Sequence, residues 1–455
     1  MSSEWPITPL SDLITVKHGF AFKGEFFSDE PSPFQLTTPG NFAVGGGFQL
    51  GKGKYYSGPI FSDYVLSQGD LIVTMTDLSK AADTLGFSAI VPETRGTTWL
   101  HNQRVGRVLI KSVAQVHKDF LHYLMRTNDY RQWVVSGATG STVKHTSPDR
   151  ICTYQFPLPP LNTQRAIAEA LSALDNRITL LRETNATLED IAQALFQSWF
   201  VNFDPVRAKA EGLEPEGMGA ATAALFPDSF EESGQAEVPR GWKMSTLGAI
   251  CELNGGVIQT GPFGSQLHAS DYVAEGVPVV MPKDISGRRV DATTAARILP
   301  KDADRLSRHK LRGGDIVFSR RGDVEKHALI GYVELGWLCG TGCLLVRPGA
   351  LRNVSGYLSR SLDLRQTKQW LTQHAVGATM PNLNTGILSA VPILLPADEV
   401  LASFERVVSV LDERISESNA TAQTLTQLRD TLLPRLISGQ LRLPDAELLV
   451  KDSCA

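Results

Sequence analysis

Two long stretches of the chain carry apolar residues at helical spacing. In the first, Ile167, Leu171, Leu174, Ile178, Leu181, Leu188, Ile191, Leu195 and Trp199 recur at intervals of three, four or seven. The second repeats the theme with Phe404, Val407, Leu411, Ile415, Leu425, Leu428, Leu432 and Leu436. A narrow apolar stripe held for about five heptads predicts two helices packed on each other, coiled-coil fashion, in preference to each lying on its own globular body. A helix of ~40 residues is about 60 Å long. Prolines 157, 159 and 160, then 392 and 396, end the preceding strands and fix where the helices start. Asn162 is positioned as an N-cap, and Pro434 should end or kink the second helix near residue 430. Asn185 interrupts the first stripe, and Ser418 and Ala422 the second, which predicts a crossing with a polar middle that fixes register.

Outside the helices the apolar runs are short and bounded by Gly, Asp or Pro. Strands are predicted at Leu71–Thr74, Val105–Ile110, Ile316–Ser319, 328–333 and 342–346, and helices at 118–133 and 354–371. The order of these elements repeats. Trp5 and Leu10 match Trp242 and Leu247 at an offset of 237, as Leu174-Asp175-Asn176-Arg177-Ile178 matches Leu411-Asp412-Glu413-Arg414-Ile415. Gly69-Asp70-Leu71-Ile72-Val73 resembles Gly314-Asp315-Ile316-Val317-Phe318, and Gly137-Ala138-Thr139 resembles Gly377-Ala378-Thr379. The chain is a tandem repeat: an irregular mixed domain followed by a long helix, twice.

Charge sharpens this picture where composition does not. The 455 residues are 42% hydrophobic and 20% charged with a net charge of −4, as in an ordinary globular protein. Yet residues 281–326 hold twelve Lys/Arg against seven Asp/Glu and 101–145 hold seven against two, whereas 204–240 hold three against eight. Two basic regions divided by an acidic connector suit local phosphate contacts. No apolar run reaches the ~20 residues that span a bilayer. Residues 1–10 lack a signal-peptide pattern, so a cytoplasmic location is expected, without membrane association. Five scattered cysteines argue for reduced thiols, with Cys339 and Cys343 as core residues of a strand and no zinc set.

Catalytic motifs are missing. Gly46-Gly47-Phe48-Gln49-Leu50-Gly51-Lys52 has phosphate-loop spacing, but Gly53 replaces the required Ser or Thr, and a hairpin loop explains the glycines. There is no G-x-G-x-x-G, H-E-x-x-H or G-x-S-x-G. No metal or cofactor is expected on this chain.

Several segments resemble the specificity (S) subunits of type I restriction-modification enzymes. Pro157-Leu158-Pro159-Pro160-Leu161-Asn162-Thr163-Gln164-Arg165-Ala166-Ile167-Ala168 looks like the start of that family's central conserved region, and Ser198-Trp199-Phe200-Val201-Asn202-Phe203-Asp204-Pro205-Val206 like its end. Leu225-Phe226-Pro227-Asp228-Ser229-Phe230 with Val238-Pro239-Arg240-Gly241-Trp242 resembles the lead-in to the second recognition domain. Gly261-Pro262-Phe263-Gly264-Ser265-Gln266-Leu267 and Leu432-Leu433-Pro434-Arg435-Leu436-Ile437-Ser438-Gly439 are also typical, although the first half lacks a clear counterpart of 261–267.

The resemblance implies an α+β, pseudo-two-fold architecture of two tandem α/β target-recognition domains on an antiparallel, coiled-coil-like spacer. The segments are then recognition domain 1 at 1–156, central helix 157–203, acidic connector 204–240, recognition domain 2 at 241–395, distal helix 396–441 and tail 442–455. It also implies a non-catalytic subunit that reads a bipartite, asymmetric target in double-stranded DNA. Two methyltransferase (modification) subunits and the restriction subunits would join it, carrying S-adenosylmethionine, ATP and Mg²⁺. A type II-like bipartite system and a stand-alone DNA-modifying enzyme are the alternatives. Base- and phosphate-contacting residues are expected on loops of the basic regions, where Arg pairs with guanine and Asn or Gln with adenine, while Lys favours phosphate. In the first half these are Thr76, Lys80, Asn102, Gln103, Arg104, Lys144 and His145. In the second they are Gln266, Lys283, Arg288, Arg289, Ser319, Arg320, Arg321 and Lys326, with 377–382 as an adjacent loop.

Overall fold

The computed structural model describes residues 5–51, 53–79, 81–233, 236–291, 293–351, 353–377 and 379–445. The two apolar stripes form unbroken helices of 40 residues each, Leu161–Phe200 and Asp398–Ile437. The first helix begins at Leu161, one residue before the cap expected at Asn162. Gln164 ties down its start instead, accepting from the His117 N–H at 2.8 Å and donating to the carbonyls of Gln115 and Pro159. The second helix does not stop near residue 430. Pro434 lies in its last turn, where the lost N–H and the displaced carbonyl are most easily accommodated.

The chain divides into compact units within the helices, not at their ends. One unit comprises Met1–Thr179 and Gln423–Ala455, the other Leu180–Ala422. In the second unit Ala192, Phe196, Trp199 and Phe200 share one core with Val400, Leu401, Phe404 and Val408, and with Trp242, Tyr357 and Leu358 of the mixed domain. Helix-on-helix and helix-on-domain packing therefore coexist here. Asn185 donates to Asn419 at 2.8 Å while Phe196 meets Phe404, so the helix segments of this unit run antiparallel. Ser418 and Ala422 are buried close to this polar contact, as the interrupted stripes predict. In the first unit Arg429 reaches Asp175 at 2.7 Å.

Each unit repeats one topology. A four-stranded sheet runs Ile14–His18, Val105–Ile110, Leu71–Thr74, Ser88–Ile90 in the first and Val257–Thr260, Cys343–Arg347, Ile316–Ser319, His327–Leu329 in the second. A further sheet runs Phe27–Ser28, Tyr55–Tyr56, Phe34–Thr37, Thr98–His101, matched by Tyr272–Val273, Ala296–Ile298, Val277–Val280, Leu338–Cys339. The Gly-Asp motifs explain themselves in space. Asp70 and Asp315 each bind an N–H three residues back and an arginine of the neighbouring strand, Arg107 at 2.9 Å and Arg347 at 2.6 Å. Residues 118–133 and 354–371 each break into two helices, Lys118–Leu124 with Asn128–Ser136 and Ser355–Asp363 with Arg365–His374.

The acidic connector is folded, with Val206, Phe226 and Val238 buried and Trp199 edge-on to Phe226. Cys339 and Cys343 are buried strand residues, and burial lifts the Cys339 thiol to about 12. No His, Cys, Asp or Glu cluster suited to a metal occurs among the described residues. No helix among them is long and apolar enough to cross a membrane. The glycines at 45, 46 and 47 take positive φ in a tight loop closed by Phe42 against Phe48, which is the hairpin expected; Lys52 lies outside the described residues.

Candidate nucleic-acid interface

Four short segments lie side by side along one edge of each mixed domain. In the first unit Phe20 pairs with Asn102, Arg104 accepts from Met75, and Thr76 pairs with His145. The order across the edge is therefore 19–20, 102–104, 75–77, 144–146. In the second, Gly261 packs on Gly340, Arg320 donates to Gly342, and Arg321 pairs with Asn382. The order is 261, 340–342, 320–322, 381–383. The first half thus does possess a counterpart of the 261–267 segment. A Cβ on Gly19 would fall 2.0 Å from the Asn102 oxygen and one on Gly261 1.9 Å from the Gly340 oxygen, so both need glycine for the same close backbone approach.

This edge gathers most of the first-half candidates. Gln103, Arg104 and His145 are exposed, with Asn102 and Lys144 half-buried beside them. The Asn102 side chain accepts from the Arg104 N–H and shapes the turn. Thr76 faces inward: it is 4% exposed and its hydroxyl bonds His145 Nδ1 at 3.1 Å, so it orients that imidazole and does not present itself to a base. Burial disfavours the Asp77 carboxylate, yet hydrogen bonds from Thr84 and Ser79 outweigh it and hold the group below its ordinary value. Lys80 lies outside the described residues. His18, exposed at the end of its strand, was not signalled by any motif.

In the second unit Arg321 is exposed and Arg320 half-buried. Arg320 Nε and Asn382 Oδ1 are buried without a hydrogen-bond partner among the described residues. Ser319 is 1% exposed and accordingly cannot contact a base; its hydroxyl closes the turn onto the Arg321 carbonyl. Lys326 is exposed but paired with Asp323 at 3.2 Å. Lys283 is exposed in the turn packed beside Gly342, with its ammonium on the Thr294 carbonyl. Gln266 turns back to accept from the Phe263 N–H. Gly377 and Met380 flank the Pro381-Asn382 segment, and Ala378 lies outside the described residues.

Arg288 and Arg289 leave the phosphate-contact set. Arg288 is 7% exposed and bonds Glu189 at 2.7 Å; Arg289 bonds Asp412 at 2.8 Å. Both guanidinium groups are paired with carboxylates of the long helices, which a charge count along the chain cannot reveal. The same holds for Arg126 and Arg360, buried against Asp175 at 2.6 Å and Asp412 at 2.9 Å. These pairs are equivalent, since Tyr123-Leu124-Met125-Arg126 aligns with Tyr357-Leu358-Ser359-Arg360. Burial works to raise both aspartates, and the adjacent guanidinium groups overcome it, leaving each below the usual carboxylate value.

A duplicated mixed domain thus carries the same loop-built, four-segment edge twice, with exposed polar and basic side chains on each. Comparison with known proteins places it. The chain belongs to the family of the type I restriction modification DNA specificity domain, whose model matches residues 2–190 and again 239–426. It is 28% identical over 366 residues to the type I restriction enzyme HindI specificity subunit of Haemophilus influenzae, covering 71% of this chain and 77% of that one. It is 23% identical over 445 residues to the EcoBI specificity subunit of Escherichia coli, covering 96% and 86% respectively. Its fold is that of the S subunit of a type I restriction-modification system from M. genitalium, with a TM-score of 0.60 at 16% identity over 95% of this chain and 96% of that one. The chain is accordingly a DNA target-recognition component, and the relatives named are specificity subunits, a non-catalytic role.

Proposed function

We propose that the chain reads a bipartite, asymmetric DNA target, one half-site with each four-segment edge. The observation that carries this is the edge itself, built twice on one topology but furnished differently. The first edge exposes Gln103, Arg104 and His145, whereas the corresponding turn in the second is Gly340-Thr341-Gly342 and its exposed guanidinium is Arg321. Equivalent frames with different donors read related geometries and different bases. Phosphate contacts then come from Lys144 and Lys283 at the flanks.

The subunit would act within an assembly of two modification (methyltransferase) subunits and restriction subunits in the cytoplasm, with S-adenosylmethionine, ATP and Mg²⁺ bound by those partners. Its test uses the chain purified with its modification subunits and the target defined by sequencing methylated bases in host DNA. Gln103→Ala with Arg104→Ala should weaken binding to the intact target by roughly 1–3 kcal/mol and relax preference at one half-site only. Arg321→Ala should do the same at the other. If both variants lose discrimination equally at both half-sites, the assignment of one edge to one half-site is wrong.

A further inference from the structure

Besides the reading edge, each mixed domain sends one hairpin to the Arg–Asp pair that joins it to a long helix: the first reaches the arginine of that pair, and the second also bonds the helices directly. The hairpin follows the 3-10 turn at Pro39–Asn41 in the first unit and at Pro282–Asp284 in the second. In the first unit the Gly45 carbonyl accepts from Arg126 Nε at 2.8 Å, while Arg126 Nη1 holds Asp175. Gly46 lies so tightly on that side chain that a Cβ would fall 2.5 Å from Arg126 Cγ. In the second unit the hairpin Ile285–Ser286 with Arg289–Val290 turns through Gly287 and Arg288, both at positive φ. A buried arginine in left-handed backbone is retained only where its surroundings over-determine it. Here Arg288 bonds Glu189 of the first long helix at 2.7 Å and Ser359 at 3.3 Å. Arg289 bonds Asp412 of the second at 2.8 Å, beside Arg360.

We infer that these hairpins are clasps that set the orientation of each recognition domain on its own stretch of helix, with Glu189, Arg288 and Arg289 as positioning residues for spacer discrimination. The inference rests on the bipartite reading above. Neither hairpin belongs to the reading edge, yet each is locked to the Arg–Asp pair that the repeat preserves, by backbone in one unit and by charge in the other. A base-reading edge is useful only in a fixed orientation, because a base-edge contact fails with small misplacement.

The test selects complexes of the chain and its modification subunits on duplexes whose half-sites are separated by the native spacer or by one base pair more or fewer. Glu189→Gln and Arg288→Ala should retain discrimination within each half-site while preference for the native spacer falls several-fold; Glu189→Asp should restore part of it. Gly46→Ala should have the same effect through the first unit. Thermal unfolding of each variant, measured alongside, identifies any that fails to fold, and the remaining variants decide. Unchanged spacer preference in folded variants overturns the clasp. A wild-type complex that binds equally well when one half-site is scrambled overturns the bipartite reading and the clasp's role with it.

Discussion

Glu405 shows at the level of one side chain how the fold tolerates buried charge. It accepts from the N–H groups of Gly356 and Tyr357, at the start of the helix that carries Arg360. Burial, opposed by these donors, raises its carboxyl to about 7 from an ordinary 4.5. The folded protein therefore holds a proton there that the unfolded chain releases, and stability should fall as pH rises from about 4.5 to about 7 and stay low above it. Glu405→Gln keeps an acceptor for the N–H groups and removes the ionisation. Urea midpoints between pH 5 and 8 should decline for the wild type and decline less for the variant; parallel profiles would show that Glu405 does not titrate in this range. Asp412 behaves in the opposite sense. Its folded value is lowered, so its contribution is complete at neutral pH and is lost only as pH falls through that lowered value. Asp412→Asn leaves Arg360, Arg288 and Arg289 facing Glu189 alone and should cost about 3–5 kcal/mol at pH 7, measured by urea unfolding.

Elements divide into those a one-dimensional pattern can carry and those it cannot. The long helices were legible because their stripes repeat for many turns, and Leu71–Thr74, Val105–Ile110 and Ile316–Ser319 because short apolar runs were bounded by turn residues. The edge was half legible: Gln103, Arg104 and Arg321 sit where charge and loop position suggested, but Thr76 and Ser319 face inward. Arg288 and Arg289 were misread because ion pairing with Glu189 and Asp412 joins residues about a hundred positions apart. The counterpart of 261–267 was missed because Gly19 and Gly261 share a backbone approach, not a surrounding sequence. That shared constraint makes a prediction. Gly19→Ala and Gly261→Ala each force a strand away from its neighbour, and each should lower stability by about 1–3 kcal/mol. Each should also impair reading at the half-site served by its own edge while sparing the other. Binding to targets with one half-site scrambled measures this, and equal impairment at both would contradict two separately built edges.

For the whole molecule, the consequential fact is that both helices continue without a break through the point where the chain divides into compact units. The proposed bipartite reading makes helix length a parameter of target choice. Removing residues 178–184 together with 420–426 takes one heptad from each helix, keeps Asp175 opposite Arg429 and Asn185 opposite Asn419, and preserves the apolar phase. The excised length is ~10 Å of helix, which corresponds to roughly three base-pair steps. Length is only half of the change. A heptad rotates an ideal helix by about 20°, whereas three steps of duplex rotate its grooves by roughly 100°. A simple shift of the preferred spacer by three base pairs would therefore leave the second edge out of phase with its groove. The expected result is weak binding to the native target and selection of a shorter spacer at reduced affinity, with selectivity inside each half-site intact. A spacer-randomised library bound by the deleted chain and its modification subunits measures both quantities. Retention of the native spacer at native affinity would show that something other than the helices fixes it.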